Sequence, residues 1–292
     1  MPLFQDFSGL WIPLITPFHD GPVDHPALTR LVEKLKGSGV KGFVACGSTG
    51  EAAALSGEEQ LAVLRTVLQA AQGAPVLMGM SGYNLAEALA WTKGLNRYPI
   101  QGLLVPAPCY IRPSQSGLLQ WFEAIASASE HALIIYDIPY RTGARLALET
   151  MLRLARHPHI KAVKDCGGDR GKTQALLAES TLQILAGEDA QIFELLALGG
   201  VGAIAASAHL ATRHFVELFE RLRKAELEPA RQLWRCLRPW VDAAFAEPNP
   251  AAIKAMLAHQ GLVRNELRAP MTPASAMLEE KLRGLGAQLS LL

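Results

Sequence analysis

Lys164 lies near the end of a largely apolar run, Ile160-Lys161-Ala162-Val163-Lys164-Asp165-Cys166. Burial disfavours an ammonium ion, and a neutral amine is a nucleophile that forms Schiff bases with carbonyl compounds. The same position also suits a lysine whose stem is buried and whose amine snorkels to water. Its neighbours therefore decide the reading. Tyr136-Asp137-Ile138-Pro139-Tyr140-Arg141-Thr142-Gly143 presents a tyrosine, a carboxylate and an arginine together. A phenol beside an amine would carry protons while a carbinolamine forms and collapses, and Arg141 offers a planar fork for a carboxylate. Cys46-Gly47-Ser48-Thr49-Gly50-Glu51 sets two hydroxyls and several backbone amides among small residues, a pattern that suits an anion such as a carboxylate. It has no following lysine, so it is not a Walker phosphate loop. Pro106-Ala107-Pro108-Cys109-Tyr110-Ile111-Arg112-Pro113 presents Tyr110 on a proline-stiffened loop. Taken singly, each has a plainer reading: a packed tyrosine, a solvated arginine, an ordinary strand-to-helix turn.

These segments need a frame that brings them to one place. Eight short runs rich in Val, Ile and Leu recur: Gly9 to Pro17, Val40 to Cys46, Pro75 to Met80, Gly102 to Pro106, Ala132 to Ile138, Ile160 to Cys166, Leu182 to Ala186 and Val201 to Ser207. Continuous hydrophobicity is how strands buried on both faces of a parallel sheet read. Amphipathic segments separate them, and Ser56, Ser114 and Asp189 mark helix starts. Eight strand-helix units predict a (β/α)8 barrel, with its active site at the C-terminal strand ends. A doubly wound open sheet would want a glycine-rich loop after its first strand, where this chain has Thr16-Pro17-Phe18. Each polar segment falls at the C-terminal end of a run. Runs five and six are neighbours in a barrel, so Tyr136 and Lys164 are expected within reach of one carbon skeleton. Helical patterning alone continues over Pro229 to Phe245, Pro250 to Gln260 and Pro273 to Leu285, each opened by a proline. The expected organisation is a barrel over 1–225 and a C-terminal helical extension over 226–292, packed on the same domain.

With half of its 292 residues hydrophobic and a formal net charge of +1, the chain is long enough for a substantial core and carries no basic field for nucleic acid. The apolar runs are strand-sized, far short of a bilayer span, and Met1 to Phe7 lacks the features of a secretory leader. Four cysteines, Cys46, Cys109, Cys166 and Cys236, are scattered without Cys-x-x-Cys spacing. Reduced thiols in a cytoplasm are expected. The histidines show no recognised ligand spacing, and His157-Pro158-His159 precedes the sixth strand, at the wrong end for a barrel site. No metal is expected. Gly187-Glu188-Asp189 ends the seventh run and reads equally as pocket lining or as a turn and helix cap.

Gly47-Ser48-Thr49-Gly50-Glu51, Tyr110-Ile111-Arg112-Pro113-Ser114, Tyr136-Asp137-Ile138-Pro139-x-Arg141-Thr142-Gly143 and Lys164-Asp165, in this order and spacing, resemble the dihydrodipicolinate synthase and N-acetylneuraminate lyase family of pyruvate-dependent class I aldolases. The resemblance covers nearly the whole chain, including the helical tail. It implies that Lys164 condenses with pyruvate to an imine and then an enamine, which attacks L-aspartate-4-semialdehyde to give 4-hydroxy-tetrahydrodipicolinate. In that scheme Tyr136 shuttles protons, Ser48 relays them between Tyr136 and Tyr110, and Tyr110 reaches in from a neighbouring subunit. Thr49 binds the pyruvate carboxylate, the backbone carbonyl of Ile204 lines the same pocket, and Arg141 holds the carboxylate of the aldehyde. The resemblance further implies no metal or organic cofactor, and a homodimer or a dimer of dimers. A lyase or dehydratase for a 2-keto-3-deoxy sugar acid or sialic acid would share the Lys164 chemistry, and a non-catalytic binding barrel is a third reading. Asp137 stands where many synthases have asparagine, adding a charge beside a site that receives carboxylates. Cys109 replaces an aromatic residue, and Gly57 and Gln60 replace side chains of the lysine-inhibition site, so weak or absent inhibition by lysine is expected.

Overall fold

In the computed structural model, which describes residues 5–289, the eight apolar runs form parallel strands closed into a barrel in sequence order. The strands are β1 (Gly9–Pro13), β2 (Gly42–Ala45), β3 (Val76–Gly79), β4 (Gly102–Pro106), β5 (Ala132–Asp137), β6 (Ile160–Asp165), β7 (Gln183–Ala186) and β8 (Gly202–Ile204). Nearly all their residues are buried, which is why the runs read as continuous rather than alternating. Several strands stop before their apolar runs do. Residues 15–17 after β1 and 206–207 after β8 lie outside the strands yet stay buried, so hydrophobicity marks burial here and not pairing.

The helices that follow the strands are α1 (His25–Lys36), α2 (Gly57–Ala71), α3 (Leu85–Leu95), α4 (Gln115–Ala128), α5 (Leu148–Leu154), α6 (Arg170–Glu179), α7 (Ile192–Ala197) and α8 (Thr212–Arg223). Two of the expected starts are made as read. Ser56 and Glu59 form a reciprocal capping box at α2, and Ser114 accepts from the Gly117 amide at α4. The third is corrected: Asp189 opens a short 3-10 turn, Asp189–Gln191, and α7 begins after Gln191 with no side-chain cap. Beyond the barrel come α9 (Leu227–Ala244), α10 (Ala251–His259) and α11 (Ala276–Leu289). Pro229 lies in the first turn of α9, where no intrahelical donor is lost, and Pro250 stands immediately before α10. Pro273 falls ahead of α11 instead of opening it, and Pro239 sits inside α9.

The chain divides into two compact units. Among the described residues, one holds Leu77–Ala203 with residues 5–8; the other holds Gly9–Val76 with residues 204–289. The first unit contains β4 to β7, with β5 and β6 paired so that Ile135 meets Val163 and Tyr136 meets Lys164. The second carries β1 and β2 together with the helical extension, and its core includes the fully buried Trp11 and Trp240. The Trp240 indole donates to the Ser207 carbonyl at 2.8 Å, so α9 is fixed to the segment after β8. Among the described residues no helix is long and apolar enough to cross a membrane. The leader expectation rests partly on Met1 to Phe4, which lie outside the described residues, as do the last three residues of the 226–292 extension.

Candidate active site

In the first unit, Lys164 and Tyr136 occupy paired positions at the C-terminal ends of β6 and β5. Paired residues of neighbouring parallel strands project to the same face, and the Lys164 Nζ lies 4.2 Å from the centroid of the Tyr136 ring. Both side chains are buried, Lys164 at 5 % exposure. The side chain is therefore held inside the barrel rather than extended into solvent. Gly187, just past β7, makes this possible: a Cβ there would come within 2.8 Å of Lys164 Cγ and 2.3 Å of Cys166 Sγ. Burial pushes the Cys166 thiol well above its usual range and that of Cys46 up to about 12, so neither supplies a thiolate nucleophile.

Asp137 is 1 % exposed, and its Oδ2 takes an ion pair from Lys172 of α6 at 2.5 Å. Lys172 also donates to the Leu146 carbonyl at 3.1 Å. Burial pushes the Asp137 carboxyl up while the Lys172 ammonium pulls it back. The charge that the sequence sets beside Tyr136 is thus answered internally. Asp165 is tied in the same way, accepting from the Gly167 amide at 2.8 Å and from the Thr173 hydroxyl of α6. Beyond the C-terminal ends of these strands lies a cavity of about 680 Å³ lined by Arg112, Tyr140, Arg145, Cys166, Glu188 and neighbouring residues, with Lys164 and Tyr136 not in its wall. That volume suits a small metabolite. Arg141 is exposed, with its guanidinium 5.7 Å from the Tyr140 ring centroid, and is not part of the cavity wall. Tyr110 is 87 % exposed and held at a positive φ of 72°, a costly conformation for a bulky residue.

In the second unit, Ser48 and Thr49 lie in a 3-10 turn, Ser48–Gly50, directly after β2. Ser48 is exposed and Thr49 buried. Gly50 admits a close approach, since a Cβ would meet the Leu14 carbonyl at 2.9 Å, and its own carbonyl accepts from Thr16 at 2.7 Å. The extension grips this turn twice. Asn249 donates from Nδ2 to Thr49 Oγ1 at 2.9 Å. Glu51, at φ 53°, pairs at 2.5 Å with Lys254 of α10, which is fully buried. Lys254 also donates to the Glu266 carbonyl at 2.7 Å and lies 4.1 Å from the Phe18 ring centroid. Ile204, the last residue of β8, is fully buried, and the next amide donates to the Trp11 carbonyl at 3.0 Å.

Residues 6–288 match the dihydrodipicolinate synthetase family. The chain belongs to that family. Over 279 residues it is 37 % identical to a 4-hydroxy-tetrahydrodipicolinate synthase of Clostridium acetobutylicum, spanning 94 % of this chain and 98 % of the relative. Its backbone is similar to that of the 4-hydroxy-tetrahydrodipicolinate synthase of Methylacidiphilum fumariolicum, with a TM-score of 0.94, 31 % identity, and coverage of 98 % and 97 % of the two chains. It is equally similar to the dihydrodipicolinate synthase of Acinetobacter baumannii complexed with pyruvate, with a TM-score of 0.94, 32 % identity, and coverage of 98 % and 100 %.

Within this family member, sequence reasoning missed Lys172, Asn249, Lys254, Arg145 and the packing role of Gly187. The first three act from helices or connections distant in sequence from the motifs they support. Two signals existed. A lysine inside the apolar Ala251-Ala252-Ile253-Lys254-Ala255-Met256-Leu257 implies a buried partner, and a carboxylate ending the β5 run needs a cation.

Proposed function

We propose that the protein condenses pyruvate with L-aspartate-4-semialdehyde to 4-hydroxy-tetrahydrodipicolinate through a Schiff base on Lys164, in lysine and diaminopimelate biosynthesis. The pairing of Lys164 with Tyr136 at the C-terminal ends of two adjacent barrel strands carries the reading. The Lys164 amine attacks the pyruvate ketone, the carbinolamine loses water, and the imine gives up a methyl proton to become an enamine. Tyr136 moves protons in these steps, with Ser48 and Tyr110 as its relay. The enamine carbon attacks the aldehyde, and displacement of Lys164 by the amino group of the new skeleton closes the ring. The imine itself is the electron sink, so the scheme needs no metal or organic cofactor. Thr49 and the Ile204 carbonyl take the pyruvate end. Arg141 takes the carboxylate of the aldehyde, with Arg145 lining the adjacent cavity.

An exposed tyrosine in a costly backbone conformation supports a Tyr110 that serves a neighbouring subunit, which makes a dimer the minimum active unit and a dimer of dimers the larger assembly. Four free cysteines fit a cytoplasmic setting. Borohydride reduction with pyruvate followed by intact mass tests the chemistry: an adduct lost in Lys164→Ala is expected, and an unmodified wild-type chain would refute it. Comparing aspartate semialdehyde with keto-deoxy sugar acids then decides the second substrate. Full semialdehyde activity in Arg141→Ala would remove that arginine from the scheme.

A further inference from the structure

A threonine hydroxyl has one proton and two lone pairs, so only that proton can serve an anionic ligand. Thr49 is 3 % exposed, and Asn249 Nδ2 donates into one of its lone pairs at 2.9 Å. Among the described residues no acceptor takes the Thr49 proton. The other end of the Asn249 amide, Oδ1, is buried without a hydrogen-bond partner. Such an orphan costs about 1–3 kcal/mol, and a side chain kept only for packing has no reason to carry it. Turned the other way, the amide would accept the Thr49 proton and remove the donor from the site. Asn249 sits in the connection between α9 and α10, and one helical turn further on Lys254 pairs with Glu51. The extension therefore fixes both Asn249 and the turn it touches.

We propose that Asn249 is a positioning residue for recognition of the 2-keto acid carboxylate. Its amide N–H occupies an acceptor site on Thr49 Oγ1 and leaves the Thr49 proton for the substrate carboxylate. The inference rests on the pyruvate reading above and assigns the helical extension a part in substrate binding.

The readout is the pyruvate concentration that gives half-maximal borohydride trapping, with the KM for each substrate and the thermal midpoint measured alongside. Asn249→Ala is expected to raise the half-saturating pyruvate about five- to tenfold, the worth of one ordinary hydrogen bond, without moving the aldehyde KM. Asn249→Asp keeps the shape of asparagine but accepts the Thr49 proton, so its loss is expected to exceed that of alanine. A packing role ranks them the other way, with the isosteric aspartate milder. In a Thr49→Val background Asn249→Ala is expected to change trapping less than about twofold, because the coupled partner is gone. Aspartate no worse than alanine, or unchanged half-saturation in both variants while wild type is trapped, would overturn this inference alone. Absence of any wild-type adduct would overturn the pyruvate reading and this inference with it.

Discussion

Replacing Lys172 with methionine isolates the charge that the sequence places beside Tyr136. The ammonium and the Asp137 carboxylate are 9 % and 1 % exposed and 2.5 Å apart, so water cannot substitute for the missing partner. Stranding one member of a buried pair costs roughly 3–5 kcal/mol, which for a chain of this size lowers Tm by about 5–8 °C. Lys172→Met should show that loss in thermal unfolding followed by circular dichroism at about pH 8. Asp137→Asn in the same background should recover most of it, because a neutral amide needs no counter-ion. The pH dependence follows from the direction of the Asp137 shift. Burial already raises its carboxyl, and Lys172 opposes the rise. Without Lys172 the folded state binds a proton that the unfolded state releases, so stability falls as pH climbs from the ordinary carboxylate range through the raised folded value. The Tm deficit of Lys172→Met is therefore smaller at about pH 5 than at about pH 8. A variant within about 2 °C of wild type at the higher pH, or a double variant no more stable than Lys172→Met, would refute the argument.

Three further outcomes are expected. Gly187→Ala places a methyl 2.8 Å from Cγ of Lys164, the proposed nucleophile, and displacing a nucleophile by an ångström costs about a hundredfold in rate, so kcat should fall by about that factor; an unchanged kcat would show that Lys164 does not depend on this contact. Burial holds the His209 imidazole down at about 4, with Nε2 accepting from the Ile15 amide at 3.3 Å. Its folded pKa lies below the unfolded value of about 6.5, so stability is lost as pH falls through that interval, at up to about 1.4 kcal/mol per unit. His209→Gln should flatten this acid slope of Tm, and an equal slope would exclude His209 as its source. Activity titrated with L-lysine should stay near its starting value, since Gly57 offers no side chain and the Gln60 amide is committed to the Ala52 and Leu55 carbonyls at 3.2 Å each; sub-millimolar inhibition would contradict this.

The barrel was legible because parallel strands covered on both faces must be continuously apolar, and because eight repeats exclude most other architectures. The juxtaposition of Lys164 and Tyr136 was legible for a related reason: a parallel barrel fixes which strand ends are neighbours, and the observed register pairs the two residues. Strand ends were less so, since residues 15–17 and 206–207 are as buried as the strands they follow. Asp189 misled as a helix start because its type is right and its position is one turn early. Asp137 was read as a liability because its counter-ion lies 35 positions away on α6, beyond any local pattern. Asn249 was invisible for the same reason at a separation of 200 positions.

The same arrangement recurs in each unit. In the first, Asp137 adjoins Tyr136 and is buried against Lys172; in the second, Glu51 closes the Thr49 turn and is buried against Lys254. Each carboxylate sits within two residues of a group proposed to take part in the chemistry, and each lysine comes from a helix outside the strand that it supports. A buried pair adds little net stability over an apolar pair of the same shape, so stability alone does not explain two of them at these places. Position does. An ion pair is directional where an apolar contact is not, so each pair pins a strand-end segment at a defined distance from a helix. It also leaves no net charge there. A segment proposed to receive an anionic keto acid needs both properties, because an uncompensated carboxylate would repel the substrate and a loosely packed turn would misplace the hydroxyl proposed to bind it.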